Sequence, residues 1–91
     1  MIKKWRHKGL RDFFESGTLA GIDTTHANRL RELLLMLDEA RSPIDMHRPG
    51  LKFHRLHGSP LRWSVWISGN WRLTFEFEDG DARNVDYEDY H

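Results

Sequence analysis

The sequence predicts an α+β fold: two N-terminal helices packed on one face of a curved antiparallel sheet of three to four main strands. Three observations predict it. Across residues 62–91, apolar side chains recur at every second position, the period of a strand with one buried face. The pairs Gly69-Asn70 and Asp79-Gly80 interrupt that run where hairpins would turn. Ahead of it, two stretches carry apolar residues at helical spacing, and helices grouped before strands are expected to cover one sheet face.

Taken in order, residues 2–7 form a candidate short edge strand, its lysines protecting an exposed edge. Leu10, Phe13 and Phe14 then fall on one helix face, and Gly17 is a natural stop. A longer helix starts near Asp23 or Thr24, either of which can cap its free amides, and runs to about residue 40. Ala27, Leu30, Leu33, Leu34 and Leu37 make its apolar stripe, with Leu35 and Met36 widening it and Arg29 and Arg31 on the solvated side. Ser42-Pro43 and Pro49-Gly50 bracket a connection that cannot continue a helix. Leu51 to Leu56 reads as the next strand, with Leu51 and Phe53 inward and Lys52 and His54 outward.

The last third holds the main hairpins. Trp63, Val65 and Ile67 alternate with polar neighbours, as do Trp71, Leu73, Phe75 and Phe77; Val85 and Tyr87 extend the apolar series. A plain two-residue loop at 69–70 would set Trp66 opposite Leu73 and turn Val65 and Ile67 to the wrong face. Three-residue loops, each a type I turn with a bulge, are therefore expected at both corners. The sheet face away from the helices carries Lys52, His54, Trp66, Arg72 and Thr74, and no sizeable segment remains to cover it.

The 91 residues make one domain, 1–91, large enough for a modest core. Cysteine is absent, which excludes disulfides and thiolate metal sites and fits a reducing cytoplasm. No apolar run has membrane-spanning length, and Met1-Ile2-Lys3-Lys4 leads into no signal-peptide core. The formal net charge of +0 conceals segregation. Residues 1–75 hold 13 Lys/Arg and 7 Asp/Glu, whereas residues 76–91 hold Arg83 against 7 acids. Between Met46 and Phe75 there is no acid, but Arg48, Lys52, Arg55, Arg62 and Arg72 are present with three histidines. Such a stretch can attract a polyanion; the alternative is a solvated strand face balanced by the acidic end.

The candidate chemistry is acid–base. The six histidines form no HxxxH or HExxH pattern, and His54 and His57, three apart on a strand, point to opposite faces, so no metal is expected. No Gly-rich phosphate loop or GxSxG is present, and no cofactor is expected. An imidazole titrating near pH ~6.5 can move protons at neutral pH, and a neighbouring arginine can steady a phosphorane-like transition state. RNA brings its own nucleophile, the 2′-hydroxyl, so a base, an acid and a cation suffice to cut it. His54, Arg72 and the terminal Asp89, Tyr90 and His91 could supply those parts. Lys52, Arg55 and Arg62 are candidate phosphate contacts, and Trp66 or Tyr90 a stacking platform. Each has a plain alternative: a surface histidine, an Arg72 paired with Glu76 or Asp86, a packed Trp66, a frayed tail.

Beyond these patterns, the chain resembles the HigB-type toxins, the plasmid-maintenance killer branch of the RelE/ParE superfamily. The resemblance rests on Trp63-Ser64, Ile67, Asn70-Trp71-Arg72-Leu73, Phe75, Phe77, Asp79-Gly80-Asp81 and the Asp89-Tyr90-His91 ending, with Ile2 to Leu10 and Lys52-Phe53-His54 similar as well. It implies a RelE-like microbial RNase fold and a toxin of a type II toxin–antitoxin pair that enters the ribosomal A site and cuts mRNA without a metal. It also implies a HigA-like antitoxin with a helix-turn-helix domain. By resemblance, His54, Asp89, Tyr90 and His91 are the active-site group, and Arg72 contacts the phosphate. Family members are usually basic, whereas this chain is neutral, and the family's lysine before the central strand is replaced at His57. The ParE branch, directed at gyrase, shares the fold but has no use for His54 or the terminal Asp-Tyr-His; a silent antitoxin-binding module is the other alternative.

Overall fold

The computed structural model describes residues 1–90. Helix α1 spans Lys8–Ser16 and helix α2 spans Ala27–Glu39. Strands β1 (His54–Arg55), β2 (Trp63–Ser68), β3 (Trp71–Glu78) and β4 (Asp81–Asp89) form one antiparallel sheet in sequence order. Leu10 and Phe13 of α1 and Leu30, Leu33, Leu34 and Leu37 of α2 bury into one cluster with Val65, Ile67, Leu73, Phe75, Val85 and Tyr87. The helical stripes and the alternate strand positions thus meet as their periodicity predicts.

Local chemistry ends each helix. The His7 imidazole accepts from Leu10 N at 3.0 Å to cap α1, and Gly17 closes it at φ 80°, where a Cβ would be strained. Asp23 accepts from Thr25 N at 2.9 Å, opening a 3-10 turn at Thr24–His26 that leads into α2. Leu35 does not widen the buried stripe: it stays exposed, and Met36 alone packs partly against the core.

Several expectations shift. The edge strand at 2–7 is reduced to two parallel bridges, Ile2 with Ala82 and Trp5 with Val85, which cover the outer side of β4. Pro43 starts a short 3-10 turn, Pro43–Met46, where its missing N–H costs nothing. The 51–56 strand contracts to His54–Arg55, because Lys52 takes φ 49° and breaks the extended run. Leu51 is buried, and its carbonyl receives the Trp66 N–H at 2.7 Å.

Both hairpins close with two-residue loops, Ser68 opposite Trp71 and Glu78 opposite Asp81. Asp79 and Gly80, at φ 54° and 81°, suit a turn that needs two positive φ values. The extra residues sit inside the strands instead. Ile67 is the unpaired residue of β2, so Val65 still faces Leu73. On β4 the register shifts between Arg83 and Asp86, and Asn84 there adopts φ 49°. This bulge explains how Ala82 and Val85, three apart, are both buried.

Behind the sheet lies a ring cluster that periodicity does not reveal. The buried His26 Nδ1 stands 2.5 Å from the Tyr87 hydroxyl, and its ring packs edge-on against Trp71. His7 packs edge-on to the same Tyr87. The cluster ties both helix starts to the ends of β3 and β4.

Candidate active site

Cross-strand partners project to the same side of a sheet, so the register assigns each side chain to a face. On the side away from the core, one row runs His54, Ser64, Thr74, Asp86 across the four strands. The next row runs Trp66, Arg72, Glu88. His54, Lys52, Trp66 and Arg72 therefore do share the open face or its edge.

His54 is exposed, and its Nδ1 lies 3.4 Å from Ser64 Oγ and 3.3 Å from the Lys52 carbonyl. Its Nε2 side is turned away from these contacts, as a proton donor or acceptor for a ligand requires. Arg72 pairs with neither Glu76 nor Asp86. It donates from Nη1 to the Gly69 carbonyl at 3.0 Å and to the Trp71 carbonyl at 3.1 Å. Trp66 donates from Nε1 to the same Gly69 oxygen at 2.9 Å, so the turn holds both side chains. The Lys52 ammonium sits 4.5 Å from the Trp66 ring centre and the Arg29 guanidinium 5.6 Å from it. Trp66 is thus a holder of cations as it stands, and Arg29 belongs to this corner rather than to bulk solvent.

The centre of the open face is covered by its own side chains. Ser64 and Thr74 are fully buried although they point away from the core. Over Thr74 the Arg62 guanidinium meets the Glu88 carboxylate at 3.1 Å, and the Thr74 hydroxyl donates to the same Glu88 oxygen. Tyr90 lies near enough to this pair for both charges to act on its phenol. Burial pushes the Tyr90 hydroxyl above its ordinary 10.0, the Glu88 charge pushes it further, and Arg62 opposes both. At neutral pH Tyr90 is therefore a protonated donor.

Two expected site residues lie elsewhere on the sheet. Asp89 is opposite Trp71, so its side chain leaves on the helix side at the exposed rim. Arg55 is opposite Trp63 and takes the same side, at the outer edge of β1. His91 lies outside the described residues. Among the described residues no group of three or more His, Asp or Glu is placed to hold a metal ion, and no helix is long and apolar enough to cross a membrane.

The residue that pattern reading overlooked is Glu88. Its signal was present: within Asp86-Tyr87-Glu88 the acids flank an inward tyrosine, and so share the face of Thr74 and Arg72. Chemically, the face offers an exposed imidazole, a protonated phenol, two guanidinium groups and an ammonium around a buried hydroxyl pair. That set can bind a phosphodiester and move protons at it.

Comparison with known proteins points the same way. Residues 3–91 match the family described as RelE-like toxin of type II toxin-antitoxin system HigB. The chain is 39% identical over 92 residues to Endoribonuclease HigB of Proteus vulgaris, with 100% of each chain covered.

Proposed function

Since the chain belongs to the HigB-like family of RelE-like toxins, whose members work against a cognate antitoxin, we propose that it is a ribosome-dependent endoribonuclease that cuts mRNA in the ribosomal A site. The observation that carries this reading is the exposed His54 imidazole on the open face that also bears Arg72, Arg62 and Tyr90.

In the proposed step a base takes the proton of the 2′-hydroxyl, and the 2′-oxygen attacks the adjacent phosphorus. The P–O5′ bond breaks as an acid protonates the leaving oxygen, giving a 2′,3′-cyclic phosphate and a 5′-hydroxyl. His54 and His91 act as the proton-transfer pair; Asp89, whose side chain leaves on the helix side of β4, assists only from the rim and not from the open face. Arg72 swings from the Gly69 carbonyl to the phosphate, where its planar fork suits two oxygens. Tyr90 stacks on or hydrogen-bonds a base, and Lys52, Arg55, Arg62 and Trp66 form the RNA- and ribosome-facing rim. No metal or cofactor enters this scheme. The partner that silences it is a HigA-like antitoxin with a helix-turn-helix domain, and the site of action is the cytoplasm.

Ribosome dependence follows from the scarcity of stacking surface. Trp66 is engaged by cations and Tyr90 is half-buried, so the face cannot order a flexible strand unaided. A ribosome holding the message would remove much of that entropy cost. The test is single-turnover cleavage of a message on programmed ribosomes beside the same transcript free in solution. Cleavage within the A-site codon of the bound message alone is expected, and a 2′-deoxy nucleotide at the cut should abolish it. Equal cutting of both transcripts, or cutting at the deoxy position, would overturn the reading.

A further inference from the structure

We propose that Glu88 is a positioning residue of the open face, fastening Arg62 over the buried Thr74 so that the cation is in place before RNA arrives. The proposal deepens the endonuclease reading above and rests on it.

A carboxylate in the middle of a face that must receive a polyanion is unfavourable for binding, so its place there calls for another use. Its contacts indicate which. One oxygen, Oε2, takes the Thr74 hydroxyl and the Arg62 guanidinium together. Thr74 is fully buried on the central strand β3, and hence a fixed anchor. Arg62 immediately precedes β2, its carbonyl accepting from Leu56 N at 2.8 Å, and carries a long side chain that has much rotamer freedom to lose. Glu88 thus joins a rigid point to a mobile one, with only 26% of its side chain exposed and 23% of that of Arg62.

The guanidinium has five N–H donors. Glu88 takes one at Nη1, which leaves donors for a phosphate. Charge neutralisation by Glu88 removes Arg62 from long-range attraction while keeping its geometry. A residue of that kind should govern the rate of the bound complex rather than its formation.

Glu88→Ala should lower single-turnover cleavage of ribosome-bound message about 10–100-fold while ribosome affinity is kept or raised. Glu88→Gln, whose amide oxygen can accept both bonds, should restore most of the rate. In an Arg62→Ala background, Glu88→Ala should add no further loss. Nitrogen-15 relaxation of the Arg62 Nε–H group supplies a readout independent of cleavage: ordered in the parent and in Glu88→Gln, mobile in Glu88→Ala. An Arg62 side chain equally ordered without Glu88, a parental cutting rate, or an additional loss on top of Arg62→Ala would each overturn the proposal. Should Glu88→Ala not fold, Thr74→Val releases the anchor instead, and unchanged order at Arg62 again defeats it. Failure of the parent to cut ribosome-bound message would refute the endonuclease reading, while Arg62 relaxation still decides whether Glu88 holds the guanidinium.

Discussion

His54 projects into solvent from a two-residue strand, and among the described residues its ring hydrogen-bonds to Ser64 Oγ and the Lys52 carbonyl. His54→Ala therefore removes no core atom and should change stability by less than about 1 kcal/mol. Loss of an acid or base should nonetheless slow cleavage about 10²–10⁴-fold, read by single-turnover kinetics beside a urea melt of the same variant. Tyr87 is the opposite case. Its hydroxyl meets the buried His26, so Tyr87→Phe leaves a buried ring nitrogen without its partner and should cost about 1–3 kcal/mol, seen as a lower urea midpoint. Burial first, then the Asp23 charge, hold the Tyr87 hydroxyl above its ordinary 10.0. The unfolded chain thus ionises before the folded one, so this contribution is intact below about pH 10 and is lost as pH rises through the folded value. Tyr87→Phe should flatten that alkaline decline.

At the scale of elements, α1 is held by close backbone contact as well as by its buried side chains. A Cβ on Gly21 would lie 2.5 Å from Gly9 Cα, and one on Gly9 would lie 2.7 Å from the Gly21 carbonyl oxygen. Neither clash can be relieved by a side-chain rotation. Gly21→Ala should therefore push α1 away from the loop, loosen Leu10 and Phe13, and cost about 1–3 kcal/mol in a thermal melt. The hairpins teach a related lesson. Face conflict at residues 69–70 demanded one extra residue, and that residue exists, but at Ile67 inside β2 rather than in the turn. Alternation requires the insertion without locating it, because a loop and a bulge restore the same parity. On β4 the location was readable: Ala82 and Val85 break alternation, and Asn84 between them tolerates a positive φ.

For the whole molecule, the question is how a formally neutral protein meets RNA. Strands from the basic stretch 46–75 and the acidic stretch after it share one sheet, β1 to β4, and Glu88 offsets Arg62 there. Lys52 and Arg55 remain exposed on the β1 side. Ribosome association should fall linearly in log–log form with salt, each phosphate contact adding about −0.7 to the slope. Co-sedimentation should show Lys52→Glu and Arg55→Glu weakening binding more than the cutting rate of bound complex. Binding indifferent to salt would mean that shape, not charge, holds the protein.

The sequence by itself determined what is periodic: two helices with the first stopping at Gly17, the paired strands of the last third, and the apolar face of each; Asp23 caps a 3-10 turn, and the second helix begins only at Ala27. Side-chain period and tolerance of positive φ are properties of neighbouring residues, so they survive in a string. Parity even placed Asp89 with Val85 and Tyr87 on the helix side, although the motif Asp89-Tyr90-His91 invited reading the three as one group. Only the tertiary structure decided that Arg62 reaches two strands across to Glu88. It likewise decided that Arg72 rests on turn carbonyls and that His26 finds Tyr87. The Arg62–Glu88 and His26–Tyr87 contacts join residues 26 and 61 positions apart, and long side chains such as Arg72 choose among partners by distance and burial. A bulge of one residue is enough to change which partners are in reach.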